Sequence, residues 1–342
     1  MGHINIPIFI PHLGCPNQCI FCNQRYISGT IEFDESIVEK EILKVLSTVR
    51  ASDECEIAFF GGSFTGIDRN LMIRLLDIAQ KYVNNNKVSG IRMSTRPDYI
   101  NEEIIRILKR YTVSAVELGI QSMNDDVLKY LKRGHTVNDT KNATKLLREN
   151  GFSFVGQMMI GLPGSTAVDE TECAKQICEM GALGARIYPT LVFKMTELEG
   201  MTDNGEYKPL SVDEAVSRCA DVLEIFNENG VECIRIGLCE SENLHSDTTF
   251  ICGPNHPSIG EMVKSELFFR IINKKLSNRK LENKNIIIFC SGGRVSQIVG
   301  NKKRNLIYFK EHYGIKSVKI LEKSELIGYE IEIYEKEDYG CI

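Results

Sequence analysis

"INIPIFIPHLGCPNQCIFC", residues 4–22, joins a short apolar run to a turn that carries Cys15, Cys19 and Cys22. The run INIPIFI (4–10) has the length and isoleucine content of a buried strand. The cysteines follow it directly, three and two residues apart, so one short loop turns three sulfurs toward a common side. That spacing suits a metal centre. Two kinds satisfy it: a structural zinc site in which His12 completes a Cys3His set, or an iron–sulfur cluster held by three thiolates.

Working outward, short apolar runs alternate with longer segments of helical period. CEIAFFG (55–61), GIRMST (90–95), VSAVELGI (113–120), FSFVGQMMIG (152–161) and ARIYPTLVF (185–193) read as further strands. Helical patterns lie between them. DESIVEKEILKVLSTVR places Ile37, Ile42, Val45, Leu46 and Val49 on one side, and DETECAKQICEMG stops at Gly181. Six strand-then-helix units imply parallel strands joined by right-handed crossovers. The predicted fold is α/β, a partial parallel (β/α)6 barrel over residues 1–240, which VECIRIGL (231–238) extends by one strand. Its active site belongs at the carboxyl ends of the strands, where the cysteine loop falls. Three cysteines there leave one iron of a 4Fe-4S cube without a protein ligand, and an open iron can chelate the amine and carboxylate of S-adenosylmethionine.

Residues 241–256 are polar and irregular and read as a linker. Beyond them IGEMVKSELFFRIINKKL (259–276) forms an amphipathic basic helix with Met262, Leu267, Ile271 and Leu276 on or near one face. NIIIFC, LIYF, SVKIL and YEIEIY read as strands, so 257–342 is expected to be a small α+β domain. There are no internal repeats or low-complexity segments.

A chain of 342 residues with 43% hydrophobic side chains can bury a large core. No apolar run reaches the roughly 18 residues of a membrane span, and the start MGHINIPIFIPHLG has neither a basic leader nor a cleavage pattern, so a cytoplasmic location is expected. Nine of the twelve cysteines are scattered, as for thiols kept reduced. The net charge is −5, yet Lys264 to Arg304 holds eleven basic residues against Glu266 and Glu282. That reversal has two readings, a solvated helix face or a surface for an anionic partner such as RNA, through Lys264, Lys274, Lys275, Lys302, Lys303 and Arg304.

Several ordered blocks resemble the radical S-adenosylmethionine superfamily. CPNQCIFC matches its CxxxCxxC signature and FFGGSFTGI its glycine motif after the second strand. STRPDYI, VELGIQSMNDDVLKYLKRGHT, MMIGLPGST and RIYPTLVFKMTELEG are similar to the catalytic subunit of Elongator, and more distantly to oxygen-independent coproporphyrinogen III oxidase. The resemblance covers roughly residues 5–240. It implies a 4Fe-4S cluster on Cys15, Cys19 and Cys22, with S-adenosylmethionine contacted by Phe21 at the adenine, by Gly61 and Gly62 at the methionine amine, by Gln121 at the ribose hydroxyls and by Arg133 at the carboxylate. Read without it, Arg133 is an ordinary helix-end cation. The resemblance also turns Arg186 and Tyr188 toward the substrate, where the alternative is packing at the barrel edge.

The chain departs from that pattern at Ser94, a cofactor-side position where Elongator-type proteins carry a carboxylate. The segment 255–342 is too short for Elongator's acetyltransferase domain, and SQIVGNKKRN, with Gln297 and Gly300, is a poor match to an acyl-CoA loop, so acetyl transfer is not expected. GPNHPSIGEMV resembles a junction in Elongator-like bacterial proteins. Cys233, Cys239 and Cys252 pose a choice between a second cluster and ordinary thiols. Three functions remain: a radical enzyme modifying a nucleoside in tRNA or other RNA, a radical oxidoreductase on a small molecule such as a porphyrinogen, and a non-catalytic RNA-binding iron–sulfur protein. Either enzyme also needs a reducing electron donor.

Overall fold

The computed structural model describes residues 3–16, 18–24, 32–50, 53–238 and 249–339. Strands and helices alternate through the first two thirds: β1 (His3–Phe9), α1 (Val38–Leu46), β2 (Glu54–Phe60), α2 (Arg69–Asn84), β3 (Gly90–Thr95), α3 (Glu102–Leu108), β4 (Val113–Gln121), α4 (Asp125–Tyr130), α5 (Val137–Glu149), β5 (Phe154–Ile160), α6 (Ala167–Glu179) and β6 (Gly184–Pro189). β7 (Val192–Phe193), α7 (Glu197–Asp203), α8 (Val212–Glu228) and β8 (Glu232–Ile236) follow. Seven strands form one parallel sheet in the order β1-β2-β3-β4-β5-β6-β8, with no reversal. This is a curled half-barrel, and β8 supplies the seventh strand. Pro7, which cannot donate to a ladder, is tolerated because β1 lies at an edge.

The period of two along each strand sorts residues between faces. Ile6, Ile57, Phe59, Met93, Leu118, Met158 and Ile187 are buried against the helices. The alternate positions Glu56, Arg92, Glu117 and Arg186 are also buried, on the inner face.

ARIYPTLVF is not one strand. After Pro189 the Thr190 N–H and hydroxyl both donate to Ile160 O at 2.8 Å, and the chain leaves the sheet. Val192–Phe193 pairs instead with β9 (Phe250–Cys252), antiparallel.

The remainder comprises α9 (Ile259–Leu276), β10 (Asn285–Cys290), α10 (Val295–Val299), α11 (Arg304–Tyr313), β11 (Ser317–Glu322), β12 (Ile331–Glu335) and α12 (Lys336–Tyr339). β10 is central, parallel to β11 and antiparallel to β12. LIYF, expected as a strand, lies in α11. A four-residue apolar run does not distinguish the two, and long-range packing selects the helix. Asn305 and Phe309, one helical turn apart, are both buried; Asn305 Nδ2 donates to Ser265 Oγ at 3.0 Å, and Phe309 stacks on Phe269 with centroids 5.5 Å apart. Helix α9 serves both cores: Ile259, Val263 and Leu267 join the barrel core, whereas Phe268, Ile272 and Leu276 join the smaller one.

Candidate active site at the cysteine loop

The cysteine loop is stapled to the loop after β2. Ile10 N–H donates to Phe60 O at 2.8 Å, His12 N–H to Gly61 O at 3.0 Å, and Ser63 N–H to Leu13 O at 2.9 Å. Gly62 permits this approach, since a Cβ there would collide with Leu13 O and lie 2.6 Å from Ile10 O. Gly61 takes a positive φ of 89° at the turn. The two glycines thus have a structural task at the loop contact.

The other end of the cysteine loop is held by Ile20, whose N–H donates to Leu131 O at 3.2 Å and whose carbonyl accepts from Leu198 N–H at 2.9 Å. Ile20 is buried with Val127, Leu131, Leu162 and Leu198, and Phe21 packs half-buried against the same group. Cys19 is buried, while Cys15 and Cys22 are half-buried. Burial, followed by the neighbouring Cys19 and Cys15, pushes the Cys22 thiol up to about 12. Burial also raises Cys15, with Arg133 and Arg96 pulling in the opposite direction.

Among the described residues no three His, Cys, Asp or Glu side chains are grouped to hold one metal ion. His12 accepts the Gln24 N–H on Nε2 at 2.9 Å. A cubic cluster makes a different demand, because each thiolate binds a different iron.

The residues around the loop fit such a cluster with a polar ligand. Arg133 stands after α4, its Nη1 3.6 Å from Cys19 Sγ and its Nη2 donating to Gly119 O at 2.8 Å. Its Nε is buried without a partner, as are Gln121 Oε1 and Arg96 Nη1. Gln121 has φ 67°, a left-handed conformation unfavourable for a residue with a side chain, where the β4–β5 register shifts. Gly119 makes room for both side chains: a Cβ there would lie 2.6 Å from Arg133 Nη2 and 2.9 Å from Gln121 Nε2. Burial and then Arg133 push His135 down to about 3, so this imidazole is neutral. Orphaned buried donors and acceptors are uncommon, and three beside three thiols form a cradle for a charged, hydrogen-bonding group.

Inside the barrel, Arg186 and Tyr188 belong to a ladder that spans the sheet. His3 Nε2 meets Glu56 Oε2 at 2.7 Å, and Arg92 Nε donates to the same oxygen at 3.0 Å. Arg92 Nη1 and Arg186 Nη2 converge on Glu117 Oε1 at 3.3 and 2.8 Å. Arg186 Nη1 reaches Tyr188 Oη at 3.5 Å, and its Cζ lies 5.7 Å from the Phe60 ring centroid. Although burial opposes it, hydrogen bonds from Ser114, Arg92 and His3 hold Glu56 below the usual carboxylate range. Ser94 is half-buried on the strand that carries Arg92, in register with Glu117. Glu56, Arg92 and Glu117 escaped the sequence reading. The signal was a charge inside the otherwise apolar runs of β2, β3, β4 and β6, negative in β2 and β4 and positive in β3 and β6, with none in β5.

The basic segment is largely paired. Lys264 bonds Glu261, Arg270 bonds Asp221 and Glu266, Arg304 bonds Glu266, and Lys284 bonds Glu335 and Glu337. Lys275 and Arg279 donate to the Ile331 and Ile333 carbonyls. Lys302 and Lys303 are exposed, both with positive φ, immediately before Arg304. Of the second cysteine group, Cys233 and Cys252 are half-buried, and Cys239 lies outside the described residues.

The Radical SAM superfamily profile matches residues 9–176, and that of the Radical SAM C-terminal domain matches 183–268. The chain belongs to the radical SAM superfamily. It is a radical SAM enzyme, and its cofactors are those of the family, a 4Fe-4S cluster and S-adenosylmethionine. It is 31% identical to an uncharacterized protein of Methanocaldococcus jannaschii over 234 residues, 64% of this chain and 70% of that protein. To the tRNA uridine(34) acetyltransferase of Methanocaldococcus infernus it is 39% identical over 243 residues, covering 59% of this chain and 46% of the relative. The chain thus spans about half the length of that relative. The solved structure of archaeal M. infernus Elp3 with an N-terminal deletion (1–46) superposes with a TM-score of 0.62 at 25% identity, over 81% of this chain and 64% of that one. No helix among the described residues is long and apolar enough to cross a membrane.

Proposed function

We propose that Cys15, Cys19 and Cys22 hold a 4Fe-4S cluster at the mouth of the half-barrel and that the enzyme modifies a nucleoside in tRNA. The observation that carries the first part is the meeting of Arg133 with Cys19 beside the strained Gln121. Reductive cleavage of the sulfonium C5′–S bond, giving methionine and a 5′-deoxyadenosyl radical, is the chemistry that cluster and cofactor supply. The chain's own residues bind and orient. Arg133 pairs with the methionine carboxylate as a guanidinium suits a carboxylate, Gln121 turns its amide to the ribose hydroxyls, and Phe21 lies along the adenine. Gly61 and Gly62 present backbone to the methionine amine, and Ser94 lines the same side. Arg186, held by Glu117, and Tyr188, within reach of Arg186 Nη1, face the substrate from the inner wall.

Residues 1–240 act as the radical unit and 257–342 as a second unit, with α9 as their common wall; of the intervening 241–256, expected as a linker, Phe250–Cys252 pairs with β7 of the first unit. The tRNA reading draws on the relative named tRNA uridine(34) acetyltransferase, and Lys302, Lys303 and Arg304 are consecutive exposed cations offered to phosphate, with Lys274 exposed as well. The pairing of Lys264, Arg270 and Lys284 with carboxylates favours a second reading, a small-molecule substrate inside the barrel.

The test is anaerobic reconstitution, then incubation with dithionite, S-adenosylmethionine and total tRNA. About four irons and four sulfides per chain are expected from the ligand pattern, with 5′-deoxyadenosine formed and a mass-shifted nucleoside in the tRNA digest. Cys22→Ala should abolish all three. Stoichiometric zinc without sulfide rejects the cluster, while 5′-deoxyadenosine with an unaltered nucleoside profile rejects tRNA and leaves the small-molecule reading.

A further inference from the structure

Arg96 follows β3 directly, on a loop at the same end of the barrel as the cysteines. Its side chain is only 2% exposed. Nε and Nη2 donate to the two carboxylate oxygens of Asp98 at 2.9 and 2.7 Å, and Cζ lies 5.6 Å from the Tyr99 ring centroid. The backbone N–H donates at 3.2 Å to Ser63 Oγ, on the loop stapled to the cysteine turn. A hydroxyl chain reinforces that join, Ser63 Oγ to Thr95 Oγ1 at 3.0 Å and Thr95 Oγ1 to Thr65 Oγ1 at 2.6 Å. Two of the three guanidinium nitrogens are thus fixed, and Nη1 is left buried without a partner. Nothing in the sequence singled this residue out, yet Ser63, which holds its backbone, also donates its own N–H to Leu13 O of the cysteine turn at 2.9 Å.

We propose that Arg96, through its buried charge and unpartnered Nη1 on a loop joined to the cysteine turn by way of Ser63, raises the reduction potential of the group the cysteines hold. The inference rests on the cluster reading above. Reduction adds one negative charge to a group already bound by three thiolates. A fixed cation in a poorly screened site therefore stabilises the reduced form more than the oxidised one. Asp98 does not cancel this effect: its side chain is 24% exposed and so partly screened by water, whereas Arg96 is almost fully enclosed. The bidentate bond instead locks the fork in one direction. Arg133 contributes a second cation, its Nη1 3.6 Å from Cys19 Sγ.

The experiment is a redox titration of the reconstituted full chain with titanium(III) citrate as electron donor. S-adenosylmethionine is left out, and the paramagnetic signal of the reduced cluster is followed. Arg96→Gln should lower the midpoint potential at unchanged iron and sulfide content, and Arg96→Lys, which restores charge without the fork, should bring it back toward the parent. Asp98→Asn should shift it the other way, by less. A fully loaded Arg96→Gln protein with the parent potential overturns the proposal. So does one that only binds S-adenosylmethionine more weakly, which would make Arg96 a ligand of the cofactor's carboxylate. If Arg96→Gln fails to load, Asp98→Asn decides: a rise supports the inference, and an unchanged or lowered potential overturns it. A parent that takes up no iron and sulfide removes the cluster reading itself, whereas a loaded parent with unresponsive variants removes only the role of Arg96.

Discussion

Glu117 accepts from two guanidiniums, those of Arg92 and Arg186, with its side chain 2% exposed. Removing one member of a buried, hydrogen-bonded charge set leaves the others uncompensated and typically costs about 3–5 kcal/mol. Glu117→Ala should therefore lose about that much stability, read as a lower urea midpoint, and Glu117→Gln, which keeps an acceptor oxygen, should lose less. An alanine variant as stable as the parent would remove the ladder from the account of what holds the barrel wall. Because Glu117 also anchors Arg186 Nη2, the same variant frees the residue proposed to face the substrate. The sequences of β2, β3, β4 and β6 each showed a buried charge, but no local pattern could show which opposite charge it would meet. Glu117 and Arg186 are 69 positions apart.

At the scale of elements, the cysteine turn and the Gly61–Gly62 turn behave as one piece. Three backbone hydrogen bonds cross between them, and the approach depends on the missing Cβ of Gly62. Gly62→Ala puts a methyl against two carbonyl oxygens, and overpacking of this kind costs about 1–3 kcal/mol. The turn should be pushed from its position, and iron bound after anaerobic reconstitution should fall while far-ultraviolet circular dichroism stays that of the parent. Full iron loading in Gly62→Ala would show that the staple does not position the cysteines. The turns were legible as types: three closely spaced cysteines and a glycine pair after a strand are local signals. Their mutual contact was not, because it depends on β1 lying in register beside β2, His3 against Glu54. The same limit explains LIYF, whose helical state follows from Phe309 stacking on Phe269, forty positions earlier.

For the molecule as a whole, charge is the property that folding redistributed. Eleven basic residues suggested one cationic face; in the folded chain Lys264, Arg270, Lys284 and Arg304 meet carboxylates, some from α8 and β12. The consecutive Lys302, Lys303 and Arg304, the last of them shared with Glu266, are left as one candidate RNA surface, with Lys274 exposed as well. If these contact phosphate, the logarithm of affinity for single-stranded RNA should fall with the logarithm of salt at a slope of about −0.7 per phosphate neutralised. Replacing all three by alanine should flatten that slope and leave substrate-free cofactor cleavage unchanged. A triple variant with the parent slope excludes this surface.

The sequence by itself determined the parallel α/β half-barrel and the three-cysteine loop at its carboxyl end. Hydrophobic period, element length and the spacing of ligating residues are properties of contiguous chain. Only the tertiary structure decided that Arg133 stands beside Cys19, 114 positions away, that four strand charges close into one ladder, and that α9 packs into two cores. Those outcomes come from burial. A charge removed from water must find whichever partner the sheet order places beside it, and that order exists only once distant strands have paired.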